Sequence, residues 1–82
     1  MRLSDLKAKQ SATISGIIQD ATTQPDIVAN RLEVLGFLVG TPVKVITKGM
    51  FGGEPILVQI GFTRFALRKT EAERIEVEGV SA

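Results

Sequence analysis

The chain has 82 residues and a formal net charge of +1, with 44% hydrophobic and 5% aromatic residues. A chain of this length is expected to form a single domain, residues 1–82, with a small core. It contains no cysteine and no histidine, which excludes disulfides, thiolate metal sites, cysteine nucleophiles and the commonest general base. No apolar run is long enough to span a membrane, and the polar N-terminus is unlike a secretory signal, so we expect a cytoplasmic protein.

The first 18 residues predict a short lid and a first strand. Leu3 and Leu6 are spaced for one helical turn with Ser4 as its cap, and we expect both leucines to close one end of the core. The segment Ser11–Ile18 is rich in β-branched residues and alternates in hydrophobicity, which predicts a strand. Gly16 in its middle indicates a bulge or bend.

One amphipathic helix is predicted over Pro25–Leu35. Proline is favoured in a first helical turn, where its missing N–H costs nothing, and Asp26 suits the positive end of the helix. Gly36 follows where a left-handed C-cap is favoured, and Phe37 and Leu38 are expected to seal the helix end. The buried face is predicted from apolar residues at helical spacing, namely Val28, Leu32 and Leu35.

The remainder of the chain predicts β structure. Thr70 and Glu73 match a capping box, which predicts one helical turn before the last strand, and the tail from Gly79 to Ala82 is expected to fray. Four further strands are predicted from alternation and turn glycines, at Val43–Lys48, Pro55–Ile60, Arg64–Arg68 and Ile75–Glu78. The sequence therefore predicts a mainly β fold, a small, closed and strongly bent antiparallel sheet with one inserted α-helix.

A set of ordered short motifs resembles the FeoA family, ferrous iron transport protein A. The motifs are RLxxLGF at Arg31–Phe37, Gly40, VKV at Val43–Val45, EPI at Glu54–Ile56 and ALRxxEAxxIxV at Ala66–Val77. The resemblance extends from Leu3 to Val77. Two positions depart from the family pattern: Val39 stands where proline is usual, and Glu54 stands where aspartate is usual.

This resemblance implies an SH3-like β-barrel and a small cytoplasmic accessory protein of bacterial ferrous iron uptake. Family members are expected to bind and modulate the FeoB-type membrane transporter through its cytoplasmic GTPase domain. The same fold is similar to the C-terminal domain of iron-dependent repressors, so a metal-responsive regulator-type module is one alternative. A GTPase-activating factor that supplies an arginine in trans is another. We expect no enzyme activity of its own, no required cofactor, no nucleic-acid partner and no direct membrane insertion.

Five residues are candidates for partner binding. Met50 and Phe51 lie at the glycine-rich tip of a predicted hairpin, where they either form an apolar docking knob or fold back to cap the barrel end. Arg31, Arg64 and Arg68 are the other three, and together with Arg74 they are candidate arginine fingers. The alternatives for Arg31, which we favour, are an ion pair with Glu33, Glu71 or Glu73, or packing of its stem over the barrel.

Metal binding would have to use carboxylates, because the chain lacks histidine and cysteine. The weak candidates are Glu71, Glu73, Glu76 and Glu78. Oxygen ligands favour hard ions and bind transition metals weakly, so a solvated acidic face is the favoured alternative. RNA binding requires basic and aromatic side chains together on the surface. RNA binding is therefore not favoured, because the phenylalanines are mostly expected at core positions. Open sheet edges make self-association a further expectation.

Overall fold

The computed structural model describes residues 1–20, 22, 25–49 and 52–82. Five strands form one antiparallel sheet in the order β4-β3-β2-β1-β5. The strands are β1 (Ser11–Ile17), β2 (Pro42–Gly49), β3 (Gly53–Ile60), β4 (Thr63–Leu67) and β5 (Ile75–Ser81). A 3₁₀ helix (Leu3–Asp5) precedes β1, helix α1 (Ile27–Leu35) connects β1 to β2, and helix α2 (Lys69–Ala72) connects β4 to β5. The predicted mainly β fold with one inserted helix is confirmed.

The strand register shows where the sheet bends. Strand β1 pairs with both β2 and β5, and its register shifts between Ile14 and Gly16 on the β5 side. A second shift lies between Val45 and Thr47, where β2 pairs with β3. Such irregularities increase the local twist and bend a strand. The predicted bend at Gly16 is therefore confirmed.

The core contains side chains from both ends of the chain. Leu3 and Leu6 are completely buried against the inner face of the sheet, so the predicted lid is confirmed. Phe37 is also completely buried, and its ring lies 5.5 Å from that of the partly buried Phe65. The other buried core residues are Ala12, Ile14, Leu32, Val43, Val45, Ile56, Val58, Leu67, Ala72, Ile75 and Val77. The small core therefore uses side chains from all five strands.

Helix α1 begins later than the sequence predicts. Asp26 is the N-cap, because its side chain accepts a hydrogen bond from the Ala29 N–H at 3.2 Å. The prediction that the helix runs from Pro25, with the proline in its first turn, is therefore wrong, since Pro25 precedes the cap. At the other end Gly36 has φ +109°, which confirms the left-handed C-cap.

Three local predictions in the terminal segments are wrong. The capping box of α2 is formed by Arg68 and Glu71, not by Thr70 and Glu73, because the Glu71 carboxylate accepts the Arg68 N–H at 2.9 Å. In the first turn the Asp5 carboxylate accepts the Arg2 N–H at 2.9 Å, so Ser4 is not the cap. The tail does not fray after Glu78, because β5 continues along β1 until Ser81 is paired with Ser11.

Candidate functional site

An ion pair between the buried Asp26 and the partly buried Arg74, one of the candidate arginine fingers, fixes the position of α1 against the sheet. Their side chains form a salt bridge, and Arg74 Nε donates to the Ile18 carbonyl oxygen at 3.0 Å. Asp26 Oδ2 also accepts the Asp20 N–H at 2.7 Å. The Arg74 hydrogen bond, more than any other cause, lowers the pKa of Asp26 well below its usual range, and Asp26 in turn raises the pKa of Arg74. This contact links the end of β1, the start of α1 and the start of β5.

The structure places Arg31 in an ion pair with Glu71 of α2. The side chain of Arg31 is 53% exposed, whereas that of Glu71 is 12% exposed. Glu71 also accepts the Arg68 N–H, so one carboxylate serves two partners. The ion-pair interpretation of Arg31 is therefore confirmed, with Glu71 as the partner among the three carboxylates considered.

The other two candidate arginines lie on or next to β4. Arg64 and Arg68 are both exposed, and Arg64 Nε donates to Gln59 Oε1 at 3.1 Å. The apolar residues that alternate with them point inward, since Leu67 is buried and Phe65 is partly buried. The predicted outward direction of both arginines is confirmed. The two apolar candidates at the β2–β3 hairpin tip, Met50 and Phe51, lie outside the described residues.

The candidate carboxylates do not form a metal cluster in the described part of the chain. No group of three or more histidine, cysteine, aspartate or glutamate side chains is close enough there to hold one ion. Glu71 is occupied by Arg31 and by the Arg68 N–H. Glu76 and Glu78 are exposed on β5.

Helix α1 exposes apolar side chains on the side that faces away from the core. Ile27 and Val34, seven residues apart, are 70% and 86% exposed, and this spacing places them on the same side of a helix. Leu38 and Val39, which follow the C-cap, are also exposed. The prediction that Leu38 seals the helix end is therefore wrong, whereas Phe37 is completely buried there. We call these four exposed residues the helix surface. A shallow groove adjoins it, lined by Ile17, Gln19, Glu33, Phe37, Leu38 and Val39.

The tip of the β3–β4 hairpin forms a second exposed surface, which the sequence did not predict. Phe62 is 105% exposed at a two-residue turn in which Gly61 has φ +57°. Lys44, Gln59 and Arg64 lie side by side on the three neighbouring strands β2, β3 and β4. We call Phe62, Lys44, Gln59 and Arg64 the hairpin surface. The sequence feature that could have predicted this surface is an aromatic residue directly after a turn glycine between two strands.

A shallow groove separates the hairpin surface from β1. It is lined by Ser11, Pro42, Val43, Lys44, Gln59 and Gly61.

In the part of the chain that the structure describes, none of the helices has the length and hydrophobicity of a membrane span. The two surfaces share no residue, and neither contains a nucleophile paired with a base.

The family model of the FeoA domain matches residues 1–79. The chain is 49% identical to FeoA of Stenotrophomonas maltophilia, solved with zinc as a procaryotic SH3 domain protein and suggested to act as a ferrous iron transport activating factor. The two structures superpose with a TM-score of 0.83 over 95% of this chain and 89% of that one. This likeness confirms the predicted SH3-like fold.

Two further solved structures are similar. The FeoA protein of Chlorobium tepidum is 32% identical, with a TM-score of 0.76 over 94% of this chain and 68% of that one. IdeR of T. acidophilum is 19% identical, with a TM-score of 0.72 over 94% of this chain and 32% of that one. At this identity the likeness to IdeR shows a shared fold alone. No curated protein matches the chain.

Proposed function

Because the chain belongs to the FeoA family and is a small protein of ferrous iron transport, we propose that it is a cytoplasmic accessory protein without enzyme activity or a required cofactor. In this proposal it binds a FeoB-type transporter through the transporter's cytoplasmic GTPase domain and modulates its activity. The observation that carries the proposal is the helix surface, an exposed apolar surface on a protein of a transport family. Exposed apolar patches often mark interaction sites.

The helix surface has two properties of a docking site. Its side chains are large and unshielded, with Val34 86% exposed and Ile27 70% exposed. Its backbone is held rigidly, because α1 is capped by Asp26 at one end and by Gly36 at the other. A rigid apolar surface loses little conformational entropy when a partner covers it, which favours affinity. Arg31 lies between Ile27 and Val34 along the helix and would contribute a charge at the same surface.

The proposal is tested by titrating the isolated cytoplasmic domain of the transporter, with and without nucleotide, against wild type and a Val34→Asp/Leu38→Asp variant. Both residues are exposed, so the variant retains its core, and we expect at least tenfold weaker binding, about 1.4 kcal/mol. Phe62→Ala is the matched control, because it removes an exposed apolar side chain outside the helix surface. Unchanged binding by the aspartate variant, or equal losses in both variants, would contradict the proposal.

A second candidate function is supported by the exposed arginines Arg64 and Arg68. An arginine finger supplied in trans accelerates GTP hydrolysis by about 10³–10⁵-fold. Arg31 is less suited to this role, because Glu71 already binds its guanidinium. If this second candidate is correct, addition of the protein should accelerate GTP turnover by the transporter's cytoplasmic domain. The Arg64→Ala variant should lose that effect. If the protein does not change the rate of GTP turnover, the arginine-finger function is excluded and the accessory role is not affected.

Any binding of a divalent metal is proposed to be weak. Ferrous iron is the transported ion of the family, and FeoA of S. maltophilia was solved with zinc, but this chain has carboxylates as its charged ligands and no histidine or cysteine. Oxygen ligands without nitrogen or sulfur bind transition metals weakly. Calorimetric titration with Fe(II) under anaerobic conditions tests this, and stoichiometric binding at micromolar concentration would overturn it.

A further inference from the structure

We propose that the hairpin surface binds an anionic membrane surface, with Phe62 reaching into the headgroup region. Phe62 is more exposed than in an extended chain, and its neighbours Gly61 and Thr63 are small or polar. A phenylalanine in this position contributes nothing to the core, and its exposure to water is unfavourable. Because Phe62 lies in a two-residue turn, its whole ring is instead exposed at the tip of the hairpin.

The two charged residues of the hairpin surface, Lys44 and Arg64, are both positive. Lys44 and Arg64 flank Gln59 on adjacent strands, and neither forms a salt bridge with any described residue. The acidic side chains Glu76 and Glu78 lie on β5, at the other end of the strand order from β4. The hairpin surface therefore carries two positive charges and no negative charge. Such a surface attracts a negatively charged one.

A bilayer fits this surface better than a protein partner or a nucleic acid does. Protein interfaces have an apolar centre with a polar rim, whereas the hairpin surface combines one exposed aromatic ring with two cations and an amide. Nucleic-acid grooves follow several phosphates with a line of cations and stack successive bases, and the hairpin surface offers two cations and one ring. A single apolar group surrounded by basic residues matches the bilayer interface, where apolar burial and attraction to anionic lipids act together.

This inference does not depend on the proposed contact with the transporter, because the two surfaces share no residue. It differs from membrane insertion, since only one side chain enters the interface. Each cation near an anionic bilayer strengthens binding about fivefold, and burial of part of one phenylalanine adds about tenfold. The affinity of the isolated chain is therefore modest, and millimolar lipid is required to observe it.

The absence of tryptophan from the chain allows a direct test. In Phe62→Trp the single indole reports the surroundings of the hairpin tip, and Val34→Trp is the matched control on the helix surface. We expect the Phe62→Trp emission to shift to the blue with vesicles of phosphatidylcholine containing 30% phosphatidylglycerol. We expect no shift with phosphatidylcholine alone and none for Val34→Trp. High salt should reverse the shift, because it screens exposed charges.

Vesicle sedimentation then measures the contribution of each group. We expect Phe62→Ala to lower partitioning about tenfold and Lys44→Gln/Arg64→Gln to lower it about 25-fold, from two cations at about fivefold each. Lys7→Gln/Lys69→Gln removes the same charge from two exposed lysines outside both surfaces and should change partitioning less than twofold. The proposal is overturned by the absence of a blue shift with anionic vesicles, by equal shifts in both tryptophan variants, or by equal losses in both charge variants. A shift caused by a single-stranded oligonucleotide and not by vesicles would likewise overturn it in favour of nucleic-acid binding.

Discussion

Replacement of Gly36 by alanine tests how the end of α1 is held. The backbone at Gly36 has φ +109°, and an added Cβ would meet no atom within 4 Å. The cost is therefore backbone strain without a steric clash, about 1–3 kcal/mol for a non-glycine residue in a sparsely populated region. Alanine also reduces the entropy of the unfolded chain, which offsets about 0.4–1 kcal/mol. The net expected loss is about 1–2 kcal/mol.

Thermal and urea unfolding measure this loss against a matched control. For a chain of this length, 1–2 kcal/mol corresponds to a fall in Tm of roughly 4–16 °C. Gly16→Ala is the control, because its φ lies outside the left-handed region and its added Cβ would have only the Glu76 Oε1 atom nearby, at 4.0 Å. We expect that variant to keep or slightly raise the Tm. An unchanged Tm for Gly36→Ala, or a larger fall for Gly16→Ala, would refute the reasoning.

Two further predictions concern the hairpin and the buried ion pair. In Gly49→Ala the added Cβ would lie 1.7 Å from the Glu54 carbonyl oxygen, which is backbone and cannot move aside, so we expect more than about 3 kcal/mol of destabilisation in urea unfolding. In Asp26→Asn the charge that binds Arg74 is lost. Because folding lowers the pKa of Asp26, wild type should lose stability as the pH falls below the ordinary aspartate value of 3.8. The difference in Tm between wild type and Asp26→Asn should therefore shrink from pH 7 to pH 3, and a constant difference would argue against the ion pair.

Local signals in the sequence predicted most of the fold. Gly36 as a C-cap and Phe37 as the residue that seals it follow from the chemistry of one helix end, which the structure completes with the Phe37 N–H to Leu32 carbonyl bond of 3.0 Å. The inward positions of strands follow from alternation, because one face of the sheet is buried. Leu3 and Leu6 were predictable for a similar reason, since a small core must use every available leucine.

Features that depend on distant residues were not predictable in the same way. Arg74 and Asp26 are 48 residues apart in the sequence, and no local pattern indicates that they meet. The extension of β5 to Ser81 depends on pairing with β1, at the other end of the chain. Phe62 was missed because hydrophobicity alone suggests burial, whereas its position in the turn decides its exposure. Tertiary contacts determined each of these outcomes.

The structure also divides the charged groups by role, and this division makes the two proposals separable. Asp26, Arg74 and Glu71 bind other parts of the chain, so their loss should affect folding before binding. The helix surface and the hairpin surface are exposed, so changes there should affect binding while the Tm stays constant. A Val34→Asp/Leu38→Asp variant should therefore keep its affinity for vesicles, and Phe62→Ala should keep its affinity for the transporter domain. If either variant lost both affinities while its Tm stayed constant, the two surfaces would not act separately and this division would be refuted. A lowered Tm would instead show a change of fold.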